Sequence, residues 1–275
     1  MIKSNGGIIG PDNVTTGGAF GSASGVFKLG EVTDLINESK WPTAGPQGFQ
    51  VANSCRFNSG SSDYLNRTLG TATNRKKFTI SLWFKRSSLT GSQGQLMTAG
   101  NATNYNEFTL HSSDKLSFIG YEGSTKKFQI RTNQLFRDVS AWYHAVVAYD
   151  STQGTASNRI KMYINGTQVT SFVDDDYPSE NLETSFNSNV AHYLGSYVNT
   201  NGYNYNGYMA EVVSVDGQAL APTSFGEFNS QTGIWVPKVV TGLTFGTNGF
   251  YLPFTNASAL GEDFSGEDND FTVNN

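Results

Sequence analysis

Cysteine is almost missing from this sequence: its 275 residues include one, Cys55. No intrachain disulfide can form, and a four-cysteine zinc site is excluded. Within "VANSCRFN", Cys55 reads as a small buried hydrophobe. Charge is scarce as well, at 15% of residues, against about 25% in ordinary soluble domains. The charge present leans acidic, with 18 Lys and Arg against 23 Asp and Glu. No basic run exceeds Arg75-Lys76-Lys77, so nucleic acid is not expected as a partner. That triplet stands just before a strand and reads as a solvated turn. No apolar run approaches the roughly 18 residues of a membrane-crossing helix, and no membrane insertion is expected. The N-terminus, "MIKSNGGIIGPDN", lacks the apolar core of a secretory signal. Synthesis in a cytoplasm, without export by the general secretory route, is the expectation.

Catalytic signatures are missing too. Gly-x-Ser-x-Gly, His-Glu-x-x-His and the P-loop do not occur. The three histidines, His111, His144 and His192, are isolated from one another in sequence.

Turn residues and aromatics are abundant: 30 Gly, 13 Tyr and 19 Phe. So many aromatics exclude a disordered chain. Short apolar runs alternate with turn signals from about 49 to 230. "KFTISLWFKRS" puts Phe78, Ile80, Leu82 and Phe84 on one face and Trp83 on the other. "AWYHAVVAYD" is apolar on both faces in its centre, as a central strand would be. "RIKMYINGTQV" holds Ile160, Met162 and Ile164 opposite Lys161 and Tyr163. Its Asn165-Gly166 suits a type I′ turn, in which both central residues take positive φ. "CRFNSGSSDYLNRTL" reads as two short strands across a Gly-Ser turn, and Pro222 as the start of a short helix in "PTSFGEF". Short strands at this spacing predict an all-β sandwich or jelly roll. Two flanks are separable: residues 1–48, an arm with a short helix near Val32, Leu35 and Ile36, and residues 231–275, with one strand, "GFYLPF", and an acidic tail.

The order "DYL", "FTISLWFK", "WYHAVVAYD", "KMYINGTQV", "YLGSY…GYMAEVVSVDGQAL" resembles a laminin-G-like, concanavalin A-like jelly roll of two antiparallel sheets. The flanking segments "ASGVFKLGEV…WP", "GIWVPK", "GTNGFYLPF" and "ALGEDFSGEDNDFTVNN" resemble those around this domain in virion structural proteins of tailed bacteriophages, marine ones in particular. The resemblance implies a particle component made in the host bacterial cytoplasm, with other virion proteins and sister subunits as partners. Two roles stay open: a tail-fibre or appendage module that attaches to host-surface glycans, or a capsid decoration or cement protein. It also implies that His144, in "WYHAV", is a packed strand residue. Enzymes on this fold carry carboxylates at Glu-x-Asp-x-Glu spacing, which alternation brings to one strand face. No such run occurs: "GEDFSGEDND" is broken by glycine and "ENLE" has the wrong spacing. A glycan hydrolase is therefore the minor reading, and no enzyme is expected.

Two candidate sites follow. Jelly rolls of this type often bind Ca²⁺ through loop oxygens, of which the ion needs several. Asp174, Asp175 and Asp176 read as such a loop, either solvated or holding calcium. "GSYVNTNGYNYNGYM" concentrates Tyr197, Tyr203, Tyr205 and Tyr208 among Asn and Gly. Tyr offers a flat face for stacking and Asn adaptable hydrogen bonds. The segment is either a contact surface for a glycan or protein neighbour, or a hairpin packed on its sheet. In the arm, Val26, Phe27, Leu29, Val32, Leu35, Ile36 and Trp41 need burial, at roughly 1.5–3 kcal/mol for each large side chain. They pack on the chain's own jelly roll or, as the glycine-rich lead favours, anchor it to the particle.

Overall fold

The computed structural model describes residues 8–9, 26–27, 49, 51–89, 93–198, 203–230 and 232–275. The chain divides into two compact units, Met1–Gly48 and Phe49–Asn275. In the first, β1 (Ile8–Ile9) pairs antiparallel with β2 (Val26–Phe27). The helix expected around Val32–Ile36, and the anchor residues Leu29, Val32, Leu35, Ile36 and Trp41, lie outside the described residues.

The second unit is all-β, a sandwich of two antiparallel sheets. The strands are β3 (Cys55–Phe57), β4 (Tyr64–Thr68), β5 (Lys77–Arg86), β6 (Gly94–Gly100), β7 (Tyr105–Leu110), β8 (Lys115–Glu122), β9 (Thr125–Leu135), β10 (Tyr143–Asp150), β11 (Ile160–Ile164), β12 (Thr167–Gln168), β13 (Phe172–Asp176), β14 (Ala191–Leu194), β15 (Gly207–Asp216), β16 (Gly226–Phe228), β17 (Trp235–Pro237), β18 (Phe250–Leu252) and β19 (Thr272–Asn274). One sheet runs β12-β11-β10-β5-β15-β18, with β3 also on β15. The other runs β13-β9-β8-β7-β6-β14-β4-β19. β16 and β17 form a separate hairpin. The helix expected at Pro222 is one 3₁₀ turn, Pro222–Ser224. Among the described residues no helix is long and apolar enough to cross a membrane.

Alternation fills the space between the sheets as the sequence predicts. Phe78, Ile80, Leu82 and Phe84 face Phe108, Leu116, Phe118 and Phe128 of the opposing sheet in one core. Phe78 stacks on Tyr149 at 4.9 Å, and Phe118 packs against both. Cys55 is buried in the same core, and desolvation pushes its thiol up to about 12. The two short strands expected across the Gly-Ser turn are β3 and β4, and they join different sheets, β3 the first and β4 the second. One reading needs correction. Residues 231–275 are more than a strand and a tail, because β18 extends one sheet and β19 the other.

The centre of the seven-stranded sheet is buried on both faces. Away from the main core lie Val146, Val213 and Val215, covered by Phe225 and Phe245. Beside them Trp83 and Ala210 meet Trp235. The centre of this second layer is His144. Its ring stacks on Trp83 (4.8 Å) and lies nearly parallel to Trp235, with centroids 5.9 Å apart. Indole N–H is a donor only, and Trp235 Nε1 donates to His144 Nδ1 at 3.0 Å. The remaining nitrogen, Nε2, therefore carries the hydrogen and donates to Ser81 Oγ at 2.8 Å. Burial holds His144 neutral and lowers its pKa to about 3.

The Asn165-Gly166 turn takes the predicted form, with φ of 47° and 78°. It is tied to the same layer: Asn165 Oδ1 accepts from the His144 backbone N–H at 2.8 Å. A Cβ on Gly166 would lie 2.2 Å from the Trp235 ring. Gly166→Ala is expected to destabilise the protein by about 2–4 kcal/mol in urea unfolding, from left-handed strain and overpacking together. The buried histidines set a pH dependence. His144 and His192, the latter lowered to about 4 by desolvation, stay neutral when folded but take a proton when unfolded. Their stabilisation is complete above pH ~6.5 and is lost as pH falls toward their folded values. Glu107 and Glu211, raised by burial, act in the opposite sense. His144→Gln retains both glutamates, so the difference between variant and wild type isolates one histidine. The wild type should show the steeper fall of urea midpoint between pH 6 and 4, by about 1.4 kcal/mol per pH unit. Equal slopes would contradict a neutral buried His144.

Candidate functional site

β7 and β8 pair so that Tyr105 lies opposite Tyr121. Their rings stack at 4.7 Å. Along β7, Phe108 and Leu110 enter the core, so Tyr105 and Glu107 stand on the sheet's other face. Tyr197, from the segment after β14, meets Tyr105 edge-on at 5.4 Å. Tyr203 meets Tyr197 edge-on at 5.8 Å. Four tyrosines thus form a continuous row, ending in Tyr203, which is 58% exposed. Beneath them Glu107 is buried, and its carboxylate accepts from Gln93 and Gln95 Nε2, each at 2.8 Å. Desolvation raises its pKa, and the row's phenols Tyr105 and Tyr197 are raised by burial as well.

Tyr121 also lines a cleft of about 350 Å³ between the ends of β7–β9 and residues 182–190. The cleft is polar. Asn101, Asn104 and Asn106 supply side-chain amides, and Thr184, Ser185 and Ser188 hydroxyls. The amide oxygens are used by the fold: Asn106 Oδ1 accepts from Ser185 N–H (2.6 Å), and Asn104 Oδ1 from Gly123 N–H (2.7 Å). Asn101 Oδ1 accepts from the Thr103 and Asn104 N–H groups. The amide orientations are thereby set, and the NH₂ groups are the ones left for a ligand. Arg75 and Lys127 also line the cleft. Arg75 is held by Thr184 O at 2.6 Å and Glu183 at 2.7 Å, and Lys127 lies 3.4 Å from Glu122. The basic triplet is therefore not a bare solvated turn, since Lys77 pairs with Asp150 as well.

The four tyrosines singled out in sequence do not stay together. Tyr197 and Tyr203 join the row. Tyr205 is a core residue, 2% exposed, whose hydroxyl donates to Lys85 O at 2.8 Å. The contact reading of Tyr205 is replaced by the packing reading. Tyr208 lies in the other sheet, under the Arg56 guanidinium. Tyr105 and Tyr121 were not visible as site residues. Both sit in strands like many others, and only the β7–β8 register brings them together.

Asp174, Asp175 and Asp176 are not a loop but the edge strand β13, paired with β9. Alternation separates Asp175 from the other two. Arg131 sits 3.0 Å from Asp174, and Lys126 3.0 Å from Asp176. Their charges are met by cations across the strand pair, which suits a sheet edge protected against pairing. Among the described residues no three His, Cys, Asp or Glu side chains are grouped to hold a metal. Nor do Ser81 and His144 form a nucleophile and base, despite their 2.8 Å contact. Trp235 fixes the tautomer with hydrogen on the nitrogen facing Ser81, so that nitrogen cannot accept the serine proton. From the pairing of Asp174 and Asp176, millimolar Ca²⁺ should leave the melting temperature unchanged. A calcium-dependent rise abolished by Asp175→Ala would restore the metal site.

None of the curated proteins matches this sequence. Among solved structures, the chain is similar to mouse laminin alpha1 chain, domains LG4-5, at 17% identity and TM-score 0.44, over 66% of this chain and 48% of that one. It is similar to a heptameric SAP-like pentraxin from Limulus polyphemus at 14% identity and TM-score 0.42, over 63% and 75% of the two chains. Full-length tailspike protein 2 from Escherichia coli O157:H7 bacteriophage CAB120 aligns at 16% identity and TM-score 0.43, over 63% of this chain and 23% of its own. At such identities these are likenesses of fold. Residues 59–223, more than half of the chain, match the laminin G family model of the concanavalin A-like lectin/glucanases superfamily, and the chain belongs to that superfamily.

Proposed function

We propose that this chain is a non-catalytic, glycan-binding structural protein of a bacteriophage particle, and that the tyrosine row with its polar cleft is the sugar site. The observation that carries the sugar reading is the continuity of the two at Tyr121, which lines the cleft and stacks on Tyr105. Sugars present apolar C–H faces and a rim of hydroxyls. Tyrosine rings suit the first and amides with hydroxyls the second. The cleft falls within the roughly 300–1,000 Å³ of small-ligand sites.

The particle reading is supported by the flanking segments, which resemble those of virion structural proteins. Residues 1–48 are the part we assign to anchoring on other virion proteins or sister subunits, with Val26, Phe27, Leu29, Val32, Leu35, Ile36 and Trp41 as the apolar contacts. A sugar site is of use on a tail fibre or appendage that meets the host surface. Capsid decoration, the alternative, needs none.

A glycan array with the full chain should reveal binding to a defined set of oligosaccharides. For the best of these, Tyr121→Ala and Tyr203→Ala should each weaken binding about tenfold, the scale of one aromatic contact, while circular dichroism stays unchanged. Tyr205→Phe should instead cost about 0.5–1.5 kcal/mol of stability by removing its buried hydrogen bond and leave binding intact. No binding to any glycan at millimolar concentration would refute the sugar site.

A further inference from the structure

We infer that the site selects neutral sugars and rejects acidic ones, an inference that rests on the sugar reading above. A site for uronate or sialate presents an uncommitted cation, ideally a guanidinium that can grip a carboxylate with two bonds. This cleft contains two cations, and each already has a carboxylate. Arg75 directs Nη1 to Glu183 at 2.7 Å and Nε to Thr184 O at 2.6 Å. Lys127 sits 3.4 Å from Glu122. All four side chains line the same cleft, so its formal charge sums to zero. A carboxylated sugar in the cleft would meet only cations that already have carboxylate partners. The amide NH₂ groups of Asn101, Asn104 and Asn106 donate hydrogen bonds, but they are neutral and do not offset the desolvation of a carboxylate. A neutral sugar loses none of these terms.

The pairs are half exposed: the Arg75 and Glu183 side chains retain 33% and 50% of their accessible surface. Their partners act as a filter that substitution can remove. Glu183→Gln frees one face of Arg75 while Thr184 O still holds the guanidinium in place.

The test titrates the full chain by calorimetry against matched pairs: lactose and sialyllactose, galactan and galacturonan oligosaccharides, and glucan oligosaccharides with their uronate forms. The wild type should bind the neutral member of a pair more tightly. In Glu183→Gln the acidic-to-neutral affinity ratio should rise about two- to fivefold, the scale of one half-exposed charge pair, and the gain should vanish at high salt. Glu122→Gln, which frees Lys127, is the second variant if the first does not fold. Wild-type preference for the acidic member, or an unchanged ratio in a folded variant, would overturn the inference while leaving the sugar site standing. Failure of every pair to bind would overturn both.

Discussion

The centres of strands β5, β10 and β15 are buried on both faces, and much of the second unit is arranged to meet that constraint. One face is closed by the eight-stranded sheet through the phenylalanine core. The other would expose Val146, Val213, Val215 and Trp83, so the chain after β15 returns across it and places Phe225, Trp235 and Phe245 there. The contact that fixes this cover is His144. It accepts from Trp235, donates to Ser81 and stacks on Trp83. A buried imidazole with both nitrogens bonded is satisfied in one tautomer only, and that gives the layer a single register. The Asn165-Gly166 turn fits because a residue without a side chain lets the Trp235 ring lie on its backbone.

The eight-stranded sheet leaves more room for function. Its second face carries polar and aromatic side chains, among them the tyrosine row and the buried Glu107, while the polar cleft opens at the sheet's end, where Asn106, Gly120 and Phe128 of the core-facing side line it. The two sheets thus differ: one is covered by its own C-terminal segments, and the other keeps a polar, aromatic second face. The nucleophile–base geometry of Ser81 and His144 lies in the layer fixed by Trp235, with the wrong tautomer for proton abstraction.

Much of this was legible in the residues. Strict alternation in β5 and β11, the double-faced apolar centre of β10 and the Asn-Gly turn are local signals, because side-chain direction follows from position along a strand. Three features were not legible. Asp174–Asp176 looked like an acidic loop because their partners, Lys126 and Arg131, are some 50 residues away in sequence and become neighbours only through β-pairing. Tyr205 looked like a contact residue because Asn and Gly surround it, yet its ring fills space left by Phe57, Gly94 and Gly207. In β15 a bulge with Glu211 at φ 49° shifts the alternation, so Met209 and Val212 face the same core. Strict period-two reading fails at such a point.

Composition, alternation and turn chemistry by themselves determined an all-β sandwich without disulfides, because they act between neighbours in the chain. Tertiary structure alone decided which tyrosines share a row, which carboxylates already own a cation, and which histidine locks the second layer. Each depends on strand order and register. Register is set by the best joint burial of many distant side chains, a property that no single stretch of sequence carries.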